Sequence, residues 1–428
     1  MNNVIRLIAK LLKKLLGEGF YRQTNVLGHS LEAWVAAAIN GFPGLRLKVI
    51  GVTGTNGKTT SINYITSVLG AAGYKVGAST TANFRLGDEE WDNDLNATVT
   101  NPWALQKLLK RMLKERVDWV VLEVTSHALH QNRIAAINFD IAVMTNLSPD
   151  HLDYHGDMDS YAEAKAKLFK KAKQAAVLNH DDQWYQYFKD SAFHAVYSYG
   201  TNKDSDVRLE KMDLKTHSSH IRFRYGERIM ELDLQLPGKF NVYNGLAAAT
   251  VAFGLELDHE QVKEGLEYLT GVPGRMESIE AGQKFGVIVD YAHTPDAFKN
   301  VLENLRDITK GNVIAVFGGA PTHDYQGLGE EAGRLADKVI VTDDEPMDED
   351  PASIRKTIYD AAVSQDHAKT LEIADRFEAL EKAFAMAADE DVVILLCLGH
   401  QKYRRVGKGK RIEWDDRQMA KTLLEKMK

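Results

Sequence analysis

The residues Gly54-Thr55-Asn56-Gly57-Lys58-Thr59-Thr60 have the chemistry to hold a polyphosphate. Two glycines let consecutive backbone N–H groups turn inward around an oxyanion, and a helix opening behind them adds positive potential. Lys58 can reach terminal phosphates, and the Thr59 hydroxyl suits Mg2+. Gly54 stands four residues before the lysine, one fewer than in the usual loop of this kind. A plain turn that happens to contain Gly-Lys-Thr would not need strand, loop and helix in this order. Three further stretches carry candidate groups. Glu123-Val124-Thr125-Ser126-His127 offers a hard oxygen ligand. Asn146–His155 contains His151 between Asp150 and Asp153, which reads as a ligand. His127 reads as a residue shaping its loop, and His155 is open to either role. The absence of an accompanying cysteine argues against a structural zinc site.

These groups need elements to aim them. The apolar run Leu47–Val52 predicts a strand entering the glycine loop, and Ile62, Ile65, Val68 and Leu69 predict the helix leaving it. Trp119–Val124 and Phe139–Thr145 read as buried strands, so Glu123 and Asn146–His155 both fall at carboxyl ends of strands, where open α/β sheets place their ligands. Strand–helix alternation with near-continuous apolar strands predicts a mostly parallel sheet covered on both faces. From about residue 193 the pattern changes. His194–Tyr199, Val207–Lys211, His220–Tyr225 and Arg228–Leu236 read as short antiparallel strands forming an added small sheet. Gly271-Val272-Pro273-Gly274 breaks the chain, and a second doubly wound α/β series follows from Phe285. The expected organisation is a helical segment over 1–45, a nucleotide-binding domain over 46–270 and a Rossmann-like domain over 271–428.

Bulk composition agrees. A chain of 428 residues calls for two or three domains. With 44% hydrophobic and 26% charged residues it reads as an ordinary globular protein. The net charge of −7 argues against a nucleic-acid partner. The single cysteine, Cys397, excludes a disulfide within the chain and fits a reducing, cytoplasmic setting. The N-terminus is cationic and amphipathic: apolar residues recur at helical spacing from Val4 to Leu16, with Arg6, Lys10, Lys13 and Lys14 between them. It reads either as a helix docked on the next domain or as a peripheral contact with an anionic membrane surface.

Gly54–Thr60, Glu123–His127, Asn146–His155, Lys165, Gly274-Arg275-Met276-Glu277 and Val289–Pro295, in this order and spacing, resemble the Mur ligases, most of all the UDP-N-acetylmuramoyl-tripeptide synthetases (MurE). The resemblance covers roughly residues 46–428. It implies a P-loop central domain and an ATP-dependent amide ligase of peptidoglycan precursor synthesis, which makes an acyl phosphate and then a peptide bond. It implies ATP, two Mg2+ ions, small-molecule substrates and a monomer. By resemblance Thr59 and Glu123 hold one Mg2+, His151 binds the second, and Lys165 is the lysine this family carbamylates. From the residues alone, Lys165 reads as one of four solvated helix lysines between Lys165 and Lys171. Thr98, Thr100, Asn101, Ser126 and Arg133 match acceptor-contacting positions, although Asn101 before Pro102 also makes an ordinary helix cap. Asn241, Asn244, Arg275 and Asp290 match nucleotide-contacting positions. His293, Asp344, Glu345, Gly399 and Gln401 match the amino-acid side of the site.

The chain departs from the family pattern in four places. About 45 residues precede the core, against the ~100–150 of a typical domain, so the family's UDP-binding domain is expected to be missing. A glycine-rich Asp-Arg-Asp stretch becomes Gly318–Asp324, with His323 where the arginine would be. Asp-Asn-Pro-Arg becomes Asp344-Glu345-Pro346-Met347, and Gly-His-Glu becomes Gly399-His400-Gln401. Met347 cannot pair bidentately with a carboxylate, and neutral Gln401 cannot pair with an ammonium. Diaminopimelate is therefore disfavoured as the added amino acid. The acidic run Asp343–Asp350 reads equally as a reader of a lysine-like side chain or as a solvated loop. Two other readings stay open: the same chemistry on an acceptor not linked to UDP (a lipid-linked murein precursor, a folate-like or a storage peptide), or a nucleotide-binding relative without catalysis.

Overall fold

A computed structural model describes residues 18–93, 101–215, 218–321 and 323–427. The cationic segment 1–17, Thr98, Thr100 and Thr322 lie outside the described residues. The first described element is a long helix, Glu18–Asn40, closed by a 3-10 turn at Pro43–Leu45.

The phosphate-binding residues grow out of an eleven-stranded sheet. Its strands are β1 (Val49–Thr53), β2 (Val76–Ser79), β3 (Asn83–Leu86), β4 (Glu89–Asp92), β5 (Trp119–Glu123), β6 (Phe139–Met144), β7 (Ala172–Asn179), β8 (Ala195–Gly200), β9 (Val207–Leu214), β10 (Ser219–Tyr225) and β11 (Arg228–Leu234). The order is β11-β10-β9-β8-β7-β6-β1-β5-β2-β3-β4. All five residues of β1 are buried, and it is flanked by parallel partners on both sides, with Ile50 opposite Val121 and Ile141. This accounts for its unbroken apolar run. Helices cover both faces. Lys58–Ala71 and Lys239–Gly254 pack on one, through Ile62, Ile65, Val242 and Leu246. Met158–Lys171 and Pro102–Lys114 cover the other, through Leu168, Phe169, Leu105 and Leu109.

The structure corrects one expectation. The strands after residue 193 do not form a separate small sheet. β8 runs parallel to β7, and β9–β11 extend the same sheet through contact of Tyr199–Gly200 with Val207–Arg208. β9, β10 and β11 pair antiparallel, and β10 and β11 alternate buried with more open positions, as their sequence pattern requires.

A second sheet contains β12 (Glu277–Ser278), β13 (Gly286–Val289), β14 (Val313–Phe317), β15 (Lys338–Val341), β16 (Lys369–Glu372) and β17 (Val392–Leu395), in the order β12-β13-β17-β14-β15-β16. All are parallel except the short β12. A hairpin of β18 (Tyr403–Val406) and β19 (Lys410–Glu413) follows. Among the described residues no helix is long and apolar enough to cross a membrane.

Candidate active site

The loop between β1 and the helix Lys58–Ala71 is braced from behind by the end of β6. Asn56 N donates to Asn146 Oδ1 (2.9 Å), Thr55 N to Asn146 O (2.9 Å), and Thr145 Oγ1 to Asn56 O (2.6 Å). Two positions require glycine. Gly54 has φ +149°, and a Cβ there would lie 1.8 Å from Thr145 Oγ1; Gly57 has φ +81°, and its Cβ would lie 2.3 Å from Asn244 Oδ1. The first N–H to enter the helix ladder is that of Ser61, which donates to Gly57 O. The N–H groups of the preceding turn are those a helix start leaves for an anion. Lys58 Nζ folds back on Gly54 O (3.1 Å) and Thr55 O (2.7 Å), with its pKa lowered by burial.

Glu123, at the carboxyl end of β5, is buried and accepts three hydrogen bonds. They come from Thr59 Oγ1 (3.0 Å), Thr81 N (2.8 Å) and Thr81 Oγ1 (3.0 Å). A hydroxyl and a carboxylate thus meet beside the phosphate loop, the donor set with which Mg2+ is held by one or two protein oxygens plus substrate phosphates. The described residues contain no group of three or more histidines, cysteines and carboxylates arranged to hold a metal by themselves. The residues fit an ion completed by phosphate oxygens rather than an all-protein cage.

Lys165 is not a solvated helix lysine. It is 2% exposed, its Nζ donates to Gly54 O at 2.8 Å, and it lies 4.5 Å from the Tyr161 ring centroid. Burial, with the Lys58 charge next, pushes its pKa well below the usual lysine range, opposed by Asp150 and Glu123. Burial of this kind favours the neutral amine, the form whose lone pair is available for chemistry.

His151 has left-handed backbone (φ 52°), with Nε2 3.3 Å from Asp150 Oδ2. It stands at the edge of an aromatic cluster in which His127 packs against the rings of His151, Tyr154 and His155. His155 Nε2 is 3.0 Å from Ser126 Oγ, and burial followed by neighbouring histidines and Lys165 lowers its pKa to about 4.

The second sheet supplies the opposite wall of a cleft of about 750 Å3. Thr55–Thr60, Glu123, His151 and Asn244 line it from the first sheet, and Arg275, Asp290 and His293 from the second. Arg275 reaches across to Thr59 Oγ1 (3.5 Å) and stacks on Tyr291. Asp290 is buried, with Oδ2 accepting from Met276 N and Oδ1 from Ala292 N, both at 2.7 Å; burial raises its pKa. His293 is held by its own turn, Nδ1 to Tyr291 O, and burial lowers its pKa.

Other predicted residues lie outside the lining. Asn241 sits behind Asn244 and donates to Pro237 O. Asn101 caps its helix through Trp103 N and Ala104 N. Ser126 and Arg133 belong to the histidine-cluster side, where Tyr154 and Glu32 act on the Arg133 charge. Gly399 packs against Tyr291, and Gln401 is buried. Glu345 does not face an open pocket, because Arg405 clamps it with Nε to Oε1 (3.0 Å) and NH2 to Oε2 (2.8 Å). Asp343 pairs with Arg355, Asp348 accepts from Lys408 N, and Asp350 caps the helix Pro351–Val363. Buried Asp344 keeps an Oδ2 without a hydrogen-bond partner, and burial raises its pKa to about 7.

Two contributors escape sequence reading. Thr81 follows a short strand and carries no motif. Asp296 accepts from Asn56 Nδ2 (2.7 Å) and Ser148 Oγ (2.8 Å), tying the second sheet's first long helix to the phosphate loop. In sequence it reads only as an acid in a first helical turn.

Comparison with known proteins agrees with this geometry. The Mur ligase middle domain matches residues 52–252, and the Mur ligase, glutamate ligase domain matches residues 274–397. The chain is 38% identical over 406 residues to the UDP-N-acetylmuramoyl-L-alanyl-D-glutamate–2,6-diaminopimelate ligase of Geobacillus kaustophilus, covering 92% of this chain and 82% of the relative. It is 40% identical over 418 residues to the UDP-N-acetylmuramyl-tripeptide synthetase of Roseiflexus sp., covering 92% and 81%. The solved structure of a UDP-N-acetylmuramoyl-L-alanyl-D-glutamate–2,6-diaminopimelate ligase superposes with a TM-score of 0.64 at 30% identity, covering 89% of this chain and 79% of that one. A braced phosphate loop, a strand-end carboxylate at its threonine and a buried lysine at its back are thus found in a chain that belongs to the Mur ligase family, among the ATP-dependent acid–amino-acid ligases of the MurE type.

Proposed function

We propose that the chain joins an amino acid to the carboxylate of a UDP-N-acetylmuramoyl peptide, with ATP as cosubstrate. The observation that carries this is the shared cleft in which the phosphate loop and Glu123 face Arg275 and His293. The acceptor carboxylate attacks the γ-phosphorus, the bond to ADP breaks, and an acyl phosphate forms. The amino acid's neutral amine then attacks the acyl carbon, phosphate leaves with the bonding pair, and the nitrogen gives up one proton to the leaving phosphate or to solvent. Both steps bring anions together, so cationic and N–H groups at the loop contribute most of the stabilisation. Lys58 turns from the loop carbonyls to the phosphates, and Arg275 neutralises charge from the opposite wall. Mg2+, when bound, supplies Lewis-acid neutralisation of phosphate oxygens. Thr59 and Glu123 would hold one ion, His151 and a carbamylated Lys165 a second. The neutral Lys165 amine favoured by burial is the form that adds CO2, releasing one proton as the carbamate forms.

For the amino acid, Met347 and Gln401 support a substrate other than diaminopimelate. The engaged carboxylates of Asp343, Glu345 and Asp348 give little support to a lysine-like side chain. The proposed working form is a monomer, in a cytoplasmic setting where ATP is available. The test is phosphate release across the amino acids with the UDP-linked dipeptide and with acceptors lacking UDP. Release that needs both an amino acid and the UDP-linked acceptor supports the proposal. Release only with another acceptor, or without any amino acid, overturns it.

A further inference from the structure

The helix Glu18–Asn40 is turned the wrong way round for an ordinary surface helix. Between residues 27 and 39 every exposed position is apolar or glycine. Leu27 is 70% exposed, Leu31 67% and Ile39 66%, with Trp34 and Val35 beside them and Phe42 continuing the stripe. Over residues 26–40 the polar residues His29, Ser30, Glu32 and Asn40 are half-buried, and two of them tie the helix to the protein. Glu32 accepts from Trp103 Nε1 (3.0 Å), and Ser30 accepts from Asn132 Nδ2 (2.9 Å). The docked face is filled by the small side chains of Ala33, Ala36 and Ala37. Its polar anchors and small-residue seat fix the helix with its apolar side outward. A contiguous apolar face of this kind marks an interaction surface.

The charges around the stripe indicate what covers it. The chain carries −7 overall, yet residues 1–17, immediately before this helix, contain Arg6, Lys10, Lys13 and Lys14 and no acid. The helix Pro102–Lys114, packed against it, carries Lys107, Lys110 and Lys114, with Arg111 paired to Glu89, and again no acid of its own. Apolar side chains including a tryptophan, with an acid-free cationic helix packed beside them and a cationic segment before them in sequence, suit the boundary between anionic headgroups and acyl chains. A second copy paired isologously through the stripe would bring like cations together.

We propose that this face docks the protein on an anionic lipid surface. Through Trp103 and Asn132 the helix adjoins Asn101 and Arg133, so docking sets these acceptor-assigned positions beside the headgroups. That orientation rests on the acceptor assignment made by resemblance; the docking itself does not.

The test is co-sedimentation of the full chain with phosphatidylcholine vesicles, with and without phosphatidylglycerol. Binding is expected only with phosphatidylglycerol, weakening as salt rises. Leu31→Gln/Ile39→Gln should lower the partition coefficient at least about tenfold, while nucleotide binding and the unfolding midpoint stay at parental values. Leu27→Asn/Leu31→Asn, equally exposed, should read the same way. No binding by the parent, equal binding by both variants, or a parental dimer that the substitutions dissociate would each overturn the docking. Loss of phosphate release with vesicle binding intact would count against the ligase reading alone.

Discussion

Replacing Lys165 by methionine isolates the amine from the packing. Methionine keeps an unbranched stem in the space beside Tyr161 and removes Nζ, which lies 2.8 Å from Gly54 O at the root of the phosphate loop. If Lys165 works as a carbamate, the substitution deletes the negative charge that would help hold the second Mg2+ beside the anionic transferring group, a loss comparable to one unit charge pair about 5 Å apart. At an effective dielectric of about 20 that interaction is worth about 3 kcal/mol, or roughly a hundredfold in turnover. Phosphate release should fall by about that factor, with acetate partly restoring it and bicarbonate depletion lowering only the parent. Turnover within about threefold of the parent would refute the role. Stability supplies an independent readout. In bicarbonate-free buffer, where the amine is unmodified, the folded-state pKa lies below the unfolded one, so the unfolded chain binds the extra proton and parental stability rises with pH until the unfolded lysine titrates near 10.5. Lys165→Met should lack that slope, and the same slope in both proteins would mean that the buried amine is already modified or paired.

Three further outcomes are expected. Gly57→Ala forces φ +81° on alanine and drives a methyl into Asn244 Oδ1, so affinity for an ATP analogue should drop at least about tenfold; unchanged titration curves would show that the loop opens away from Asn244. Arg376 and Asp416 form a fully buried bidentate pair, so Arg376→Met, which strands the carboxylate, should cost about 3–5 kcal/mol in urea unfolding. Arg376→Met/Asp416→Leu should recover much of that loss, and a single variant within about 1 kcal/mol of the parent would contradict the assignment. Asp344 holds its proton to about pH 7 in the folded state, whereas the unfolded carboxyl loses it near 4. Parental stability should therefore fall as pH rises across that window, by at most about 4 kcal/mol, and Asp344→Asn should flatten the profile.

Local patterns made the scaffold legible. The strand, glycine loop and helix around Gly54–Lys58 and the strand-end position of Glu123 depend on residues adjacent in sequence, and they stand where the periodicity put them. Features made by distant partners were not legible. Lys165 resembles its three neighbouring lysines until the helix is docked with Ala166 and Leu168 inward. Asp343, Glu345 and Asp348 read as a free acidic loop because Arg355, Arg405 and Lys408 meet them only after folding, two of the three some sixty residues away. Thr81 and Asp296 became visible only as hydrogen-bond partners. The joining of β9–β11 to the main sheet rests on a two-residue contact that no period-two pattern announces.

The central place of β1 also sets an order of events during synthesis. Its neighbours are Val120–Glu123 and Ile141–Met144, and the loop that follows it is closed by Thr145, Asn146 and finally Asn244. A ribosome that has delivered the glycine loop has therefore delivered a sequence but not yet a binding site. Non-local pairing of this kind is slow to form and leaves apolar strands uncovered meanwhile. The emerging chain should gain protection by nucleotide only after the helix Lys239–Gly254 has left the exit tunnel, and chains halted earlier should be the ones that chaperones and proteases find.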